Sequence, residues 1–509
     1  MTRRLLVYSP LAIWQPPIYE TQLEIIQDYI ERGYAVTMLT CNASLPTCEA
    51  NPDHKLSACV LCRSRAKSGV EWLESDRVEV MDFLSITPEQ EAAVEAIASE
   101  PLRSVQELRS LQLDGSDIGM AVLSSIVSLH REPVPDLEVH GNEVRTGLRA
   151  AGRVHYSIRN HIARLAPDTL LLFNGRVASL RPALRAGQAA GVETLVYEVA
   201  GAQDRYVVTA NTYPHDLPLL KNIFDKTFET APESGDEKAV IADAWYKARI
   251  ENRPDDGLTF TNAQEAGLLP EQLMSAGLRV GIFVSSEDEF VAIDGWEPLF
   301  YHDQADGLRQ LLGAFANRGD VQFILRVHPH LRGVNNTQTR ELEQIAREFP
   351  LLHLVGADSP VHTYSLIEAV DMVLTFGSTV AMEAVYLGKP SLMLGRHIFE
   401  DMGGVVIPGS HDDLIAMLSA AVAGDPWQLP IDAREAVVRF GFAQSRFGIP
   451  YKYVRRTSPT TAVLVRDGRE CSLAPSLSAR LITAPERAIR RSAQRLRRLI
   501  FRHARRAAA

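Results

Sequence analysis

Residues 376–390 read FGSTVAMEAVYLGKP. An apolar run ends in three small residues, Gly377-Ser378-Thr379, and passes straight into a helical pattern that carries Glu383 in its first turns. A chain that needed only a core would not require a bare polar corner there. Ser378 or Thr379 is placed to cap the helix. A helix start offers unpaired backbone amides and about half a positive charge, which suits a phosphate. Gly377 has no side chain to keep a ligand away from the backbone. Glu383 lies about one turn in, near enough to accept hydrogen bonds from the hydroxyls of a ribose, and Lys389-Pro390 closes the helix into the next strand. The competing reading is an ordinary turn with a capping acid.

The flanking segments favour the ligand. RVHPHLR (326–332) puts Arg326, His328 and Arg332 at the end of another apolar run. The proline after His328 makes a rigid exit that fixes where the imidazole points. Two arginines beside it favour an anion. SSEDEF (285–290) ends a third run, where Ser285 and Ser286 offer hydroxyls. Glu287, Asp288 and Glu289 would repel a diphosphate, so some of them must face sugar hydroxyls or solvent. LRVGIFVSS, VQFILRVHP, LLHLVG, MVLTFG and PSLMLG are nearly continuous apolar runs, as in parallel strands buried on both faces.

The amino-terminal half repeats the alternation of strand and helix. Strands are expected at 3–9, 35–41, 169–175 and 193–199, with an amphipathic helix over 20–33. The fold class is therefore α/β, with two Rossmann-like doubly wound domains facing a cleft. The first spans 1–255, with a cysteine-rich insertion at 41–69 and a helical insertion at 85–165. A polar linker covers 256–278 and the second domain 279–445. An extension, 446–509, ends in a basic amphipathic helix over 484–506. A chain of 509 residues is too long for one ordinary core, which agrees with two domains.

The ordered set SSEDEF, RVHPHL, HTYSLIEAVDMVLTFGST and EAVYLGKPSLMLG resembles the carboxy-terminal domain of GT-B-fold glycosyltransferases that build bacterial capsule and surface polysaccharides. The Glu383-to-Pro390 spacing, E-x4-G-x-P, is similar to the ribose-binding helix of that fold. LLLFNGRVASLRPAL (170–184) and VYEVAG (196–201) resemble parts of the matching amino-terminal domain. The resemblance implies transfer of a sugar from a nucleotide-activated donor to a glycan or lipid-linked glycan acceptor, with no cofactor or metal needed for catalysis. It places the donor against Ser285, Ser286, Glu287, Arg326, His328, Gly377, Ser378, Thr379 and Glu383. Asn174 and Arg176 would touch the acceptor or the cleft. His328 and Glu20 are the catalytic candidates. Glu20 follows an aromatic loop suited to sugar stacking, although an acid in the first turn of a helix is also favoured by the macrodipole. Related sequences include sugar-nucleotide 2-epimerases and transferases of CDP-linked polyol phosphates. A non-catalytic subunit that organises capsule assembly on the same shell is the alternative outside enzymes.

Cys41, Cys48, Cys59 and Cys62 follow one another as C-x6-C-x10-C-x2-C, and the second pair has the spacing of metal ligands. A structural zinc that pins the insertion is expected, with His54 able to replace one thiol; an iron–sulfur cluster and unliganded thiols are the other readings. Lys55, Arg63, Arg65 and Lys67 in the same segment could face an anionic acceptor or only solvent. Cys471 stands alone.

The net charge of -10 argues against a general nucleic-acid binder and hides an asymmetry. From Arg480 onward ten arginines meet one acid, Glu486, so the tail carries +9 and the remainder -19. Ile489, Ala493, Leu496 and Ile500 form a narrow apolar stripe between those arginines, which suits a helix lying on an anionic membrane surface. No apolar run reaches the length of a membrane span. The expected place is the cytoplasm, peripheral to the inner face of the membrane.

Overall fold

The computed structural model describes residues 2–253, 261–273, 277–425, 427–458 and 460–484. The first lobe is built on β1 (Arg4–Ser9), β2 (Ala35–Thr40), β3 (Val78–Asp82), β4 (Thr169–Phe173), β5 (Glu193–Val199) and β6 (Arg205–Ala210). The second lobe is built on β7 (Leu278–Phe283), β8 (Val321–Arg326), β9 (Leu352–Val355), β10 (Met372–Thr375) and β11 (Ser391–Met393). In the first sheet the parallel strands lie in the order β3-β2-β1-β4-β5. In the second, all parallel, the order is β9-β8-β7-β10-β11. Both sheets reverse direction of winding beside their first strand, at β1/β4 and at β7/β10. Such a switch point opens a crevice at the carboxyl ends of the strands. The chain is α/β with two doubly wound lobes, as expected from the sequence.

Burial follows that plan. Every residue of β4 and β10 is buried, because helices cover both faces of each sheet. The region 85–165 is four helices, Pro88–Ala98, Val105–Ser110, Ile118–His130 and Leu137–Leu165. Asp136 starts the last of them by accepting the backbone N–H groups of Glu138 and Val139 at 2.8 and 3.4 Å.

The carboxy-terminal extension is part of the first lobe rather than an appendage. Helix Ala433–Arg446 crosses back and lies along helices Leu217–Thr230 and Gly235–Ile250. A Cβ on Gly441 would come within 2.8 Å of the Tyr246 ring, so only glycine lets these helices approach so closely. Two residues, β12 (Ile449–Pro450), then pair antiparallel with β6. A three-stranded antiparallel sheet follows: β13 (Val454–Ser458), β14 (Thr461–Arg466) and β15 (Arg469–Cys471). It buries Val454, Ala462 and Leu464 in the core of the first lobe. Glu24, itself buried, anchors the junction by accepting the N–H groups of Lys452, Tyr453 and Val454 at 2.6, 2.9 and 2.9 Å. Cys471 occupies a strand position opposite Leu464 and packs on that core. The basic helix expected over 484–506 lies, after Ala484, outside the described residues.

Candidate functional site

The second lobe gathers its polar strand exits at the β7/β10 switch. A cavity of about 110 Å³ there is lined by Arg326, His328, Ser378, Thr379 and Glu383, joined by Arg249, Thr261, Thr363 and Tyr364. Arg326 is the last residue of β8 and is 2% exposed. Its Nη1 and Nη2 donate to the carbonyls of Gly356 and Ser359 at 2.8 and 3.2 Å. Its Nε has no hydrogen-bond partner among the described residues. Burial, with Arg332 nearby, pulls its pKa down to about 10. A buried guanidinium held by neutral carbonyls, with one donor unspent, is a strong pull on an anion. The Thr261 hydroxyl on the same wall is buried and likewise unpartnered among the described residues.

His328 accepts the backbone N–H of His330 on Nδ1 at 3.2 Å, so Nε2 is the nitrogen that carries the proton. Burial lowers its pKa to about 4. At neutral pH it is an uncharged N–H donor, suited to a phosphate oxygen without adding a cation.

Glu383 is 2% exposed and its Oε1 is already engaged, by Arg249 Nε at 2.9 Å and by the Thr379 hydroxyl at 3.1 Å. The helix carrying it, Val380–Tyr386, is docked by Tyr386 stacking on Tyr246 with ring centroids 4.3 Å apart. Arg249 stands over the Trp245 ring at 4.9 Å. Arg249 and Tyr364 escaped the sequence reading. Arg249 precedes a polar stretch that reads as linker, and a lone arginine there has no periodicity to betray it. Tyr364 lay within a segment quoted for its resemblance, HTYSLIEA, but nothing in its spacing marked it as a wall.

The glycine of the opening stretch has a cause inside the chain. Gly377 has φ +89°, and a Cβ would come within 2.7 Å of the Arg396 carbonyl oxygen. The close approach that demands glycine is thus made by the next strand exit. Ser378 Oγ accepts the Val380 N–H at 3.3 Å, whereas Thr379 turns its hydroxyl to Glu383 instead of capping. Ser285, Ser286 and Glu287 stand outside the cavity wall. Ser285 Oγ donates to the Phe376 carbonyl at 3.3 Å, and its own carbonyl accepts from Gln338 at 2.7 Å. Glu287 accepts the Gln304 N–H at 3.0 Å, and burial raises its pKa to about 7. Ser286 joins Asp288 at 2.5 Å and Arg131 at 3.1 Å. Arg131 also binds Asp288 and the His330 carbonyl, so this segment ties the two lobes together.

Glu20 faces no cleft. It is 1% exposed and paired with buried Arg65 at 2.5 Å. Arg65 also binds the carbonyls of Ala12, Trp14 and Leu473. The pair staples the aromatic loop, the helix Leu56–Leu73 and the carboxy-terminal segment, which leaves the carboxylate closed off from any incoming hydroxyl. Arg65 therefore meets no acceptor either. Lys55 pairs with Asp53 at 2.5 Å, while Arg63 and Lys67 line the wall that carries the cysteines.

Asn174 and Arg176 follow β4 at the switch point of the first sheet and line a larger cavity of about 640 Å³. Trp14, Phe173 and Glu49 share its wall. Asn174 sits at φ +56° and donates to Glu198 at 2.8 Å. Arg176 binds the Glu289 carbonyl at 3.2 Å, across the lobe boundary, and its Nε has no partner among the described residues. Burial lowers its pKa, against the pull of Glu198, Glu289 and Asp288.

Cys41, Cys48, Cys59 and Cys62 all line a third cavity, of about 350 Å³. A tetrahedral zinc with Zn–S bonds of about 2.3 Å would hold its sulfurs about 3.8 Å apart. Among the described residues, no three of these sulfurs converge to within 4.8 Å. Burial raises the pKa of Cys62 to about 11 and lifts Cys48 and Cys59 as well, which disfavours the thiolate at these three. Asn51 donates to Cys59 at 3.3 Å, and His54 lies against the Ala43 carbonyl at 3.3 Å.

Residues 299–412 match the family model described as capsule polysaccharide biosynthesis protein. That match covers 114 of the 509 residues and shows similarity to the family over this segment alone. The matched segment contains Arg326, His328, Ser378, Thr379 and Glu383, that is, every expected donor residue that lines the 110 Å³ cavity. Solved structures similar to the chain include the beta Kdo 2,4 transferase of Thermosulfurimonas dismutans KpsC, 12% identical, covering 60% of this chain and 84% of that one, with a TM-score of 0.35. Sucrose-phosphate synthase from Thermosynechococcus elongatus is 12% identical, covering 88% and 95%, with a TM-score of 0.31. UDP-GlcNAc 2-epimerase from Neisseria meningitidis, bound to UDP-GlcNAc, is 12% identical, covering 87% and 97%, with a TM-score of 0.25. No curated protein sequence matches the chain. No helix among the described residues is long and apolar enough to cross a membrane.

Proposed function

We propose that the chain is a glycosyltransferase that moves a sugar from a nucleotide-activated donor to a capsule or other surface polysaccharide. One observation carries this reading. Two strand exits of the second lobe, 326–328 and 378–383, converge on one cavity whose wall holds a buried guanidinium with an unspent donor. Arg326 Nε and the His328 N–H bind the diphosphate and offset the charge that grows on it as the glycosidic bond to the leaving nucleotide lengthens. The Glu383 carboxylate, held in place by Arg249, accepts a ribose hydroxyl. The larger cavity behind Asn174 and Arg176 receives the acceptor. Its acidic surroundings suit neutral sugar hydroxyls better than a second anion.

The test is turnover with a panel of nucleotide sugars and surface-glycan primers. Release of nucleotide together with a lengthened glycan is expected for one donor. Release of a free epimer, transfer of a polyol phosphate, or no turnover with any donor would overturn the assignment.

A further inference from the structure

We propose that His130, His140 and Glu143 form a site for a divalent transition-metal ion of the zinc class at the rim of the first-lobe cavity. Their donor atoms all lie within 4.8 Å of one another. His130 is the last residue of helix Ile118–His130, and Arg131 at φ +56° turns the chain toward helix Leu137–Leu165. The two helices pack closely, since a Cβ on Gly147 would already touch Val122 at 3.0 Å. His140 and Glu143 are three residues apart on the second helix and so share one face. Both imidazoles address a single carboxylate oxygen. His130 Nε2 is 2.5 Å and His140 Nδ1 3.3 Å from Glu143 Oε2. The rings themselves lie close, with centroids 4.0 Å apart and planes tilted by 36°.

That convergence has the chemistry of a metal centre. Two imidazoles and a carboxylate are the donor set of many zinc and non-haem iron sites. Around an ion with bonds of about 2.0–2.1 Å, tetrahedral ligand atoms stand about 3.3 Å apart. The His140–Glu143 separation already has that value, and His130 needs to withdraw by less than an ångström. Hydrogen bonding alone uses the same carboxylate oxygen twice. Three protein ligands leave at least one coordination position open. His130 and Glu143 line the 640 Å³ cavity, so that position faces its interior and takes an oxygen ligand from whatever occupies it.

Cobalt(II) alone, titrated into the full chain purified without chelator, provides the test. About one equivalent should bind with the weak visible bands of nitrogen and oxygen ligands, and without the intense near-ultraviolet absorption of a cobalt–thiolate bond. Affinity should fall in His140→Ala and in Glu143→Gln by more than the roughly tenfold lost when only an outer partner of a ligand is removed. The Glu143 side chain is 47% exposed, so the thermal melt of Glu143→Gln without metal should match the parent. Cobalt bound with thiolate absorption and indifferent to both substitutions would place the metal on the cysteines and overturn the site. So would the absence of any binding. The readout is metal occupancy rather than turnover, so its failure leaves the transferase reading standing, and the reverse holds too.

Discussion

Each lobe carries an arginine at a strand exit, half-buried Arg176 after β4 and buried Arg326 at the end of β8, and in each the Nε lacks a partner among the described residues. Their surroundings differ. Arg176 lies among carboxylates, with Glu198, Glu289 and Asp288 all pulling its pKa upward against burial. Arg326 is held by two carbonyls, with the repulsion of Arg332 adding to burial and Asp358 alone pulling the other way. The same side chain at a strand exit thus faces three carboxylates in one lobe and one in the other. The lobe poorer in counter-charge is the one suited to bring in a diphosphate. A parallel contrast separates the two candidate acids. Glu20 is sealed against Arg65, while Glu383, also paired to an arginine, keeps a place on a cavity wall.

The largest expected effect breaks the structural side of that contrast. Arg65→Met strands Glu20 as a buried, uncompensated charge, and should cost about 3–5 kcal/mol in urea denaturation. The companion Glu20→Gln should leave donor turnover measurable in whatever fraction stays folded. Next, His328→Ala should lower kcat about 10²–10³-fold, the range for losing one aimed donor to developing charge, with an unchanged circular-dichroism spectrum. Glu383→Gln keeps the shape and removes the charge, and should lower kcat/KM for the donor about 10–100-fold. If Glu20→Gln proved as damaging to turnover as Glu383→Gln, the division of roles between the two acids would fail. Asn174→Ala should be milder, raising the acceptor KM severalfold with little change in kcat, as expected for a hydrogen bond worth about 1 kcal/mol.

The smallest effect concerns acid stability. His397 is buried, with Nδ1 unpartnered among the described residues, and burial lowers its pKa to about 3. Its ordinary value is about 6.5, so below that pH the unfolded chain binds a proton that the folded chain refuses. Stability attributable to this residue is complete above about pH 6.5 and drains away as the pH falls toward 3. His397→Phe should therefore lose less stability than the parent between pH 7 and pH 5, read as the difference in melting temperature.

The sheet exits of the second lobe were legible because buried parallel strands are continuous apolar runs, and a polar residue ending such a run stands out. Arg326 and His328 were found that way, and Glu383 from its place one turn into the helix that follows such a run. Residues that reach the same cavity from outside the sheet were not. Arg249 arrives through the fold-back of the helices that connect the lobes, a long-range contact with no local pattern. Strand β3 was missed because none of its residues is fully buried at the sheet edge, and the 454–471 sheet because its strands mix buried with exposed residues and form no continuous apolar run. Gly377 was expected to leave room for a ligand at the backbone, whereas the close approach seen there is that of the Arg396 carbonyl. The cysteine spacing suggested convergence. Distance along the chain does not specify direction, and the thiols share a wall without meeting at a point. His130, His140 and Glu143 do meet, and only the pairing of two helices could show it.

Equilibrium binding of a nucleotide-sugar panel to the full chain and to Arg326→Met tests the central claim most directly. One nucleotide sugar should bind the parent protein and bind the variant at least about tenfold more weakly, the loss of a charge-assisted hydrogen bond of roughly 1.5–3 kcal/mol. Equal affinity for both proteins, at matched folded fraction, would contradict a diphosphate seated at the end of β8.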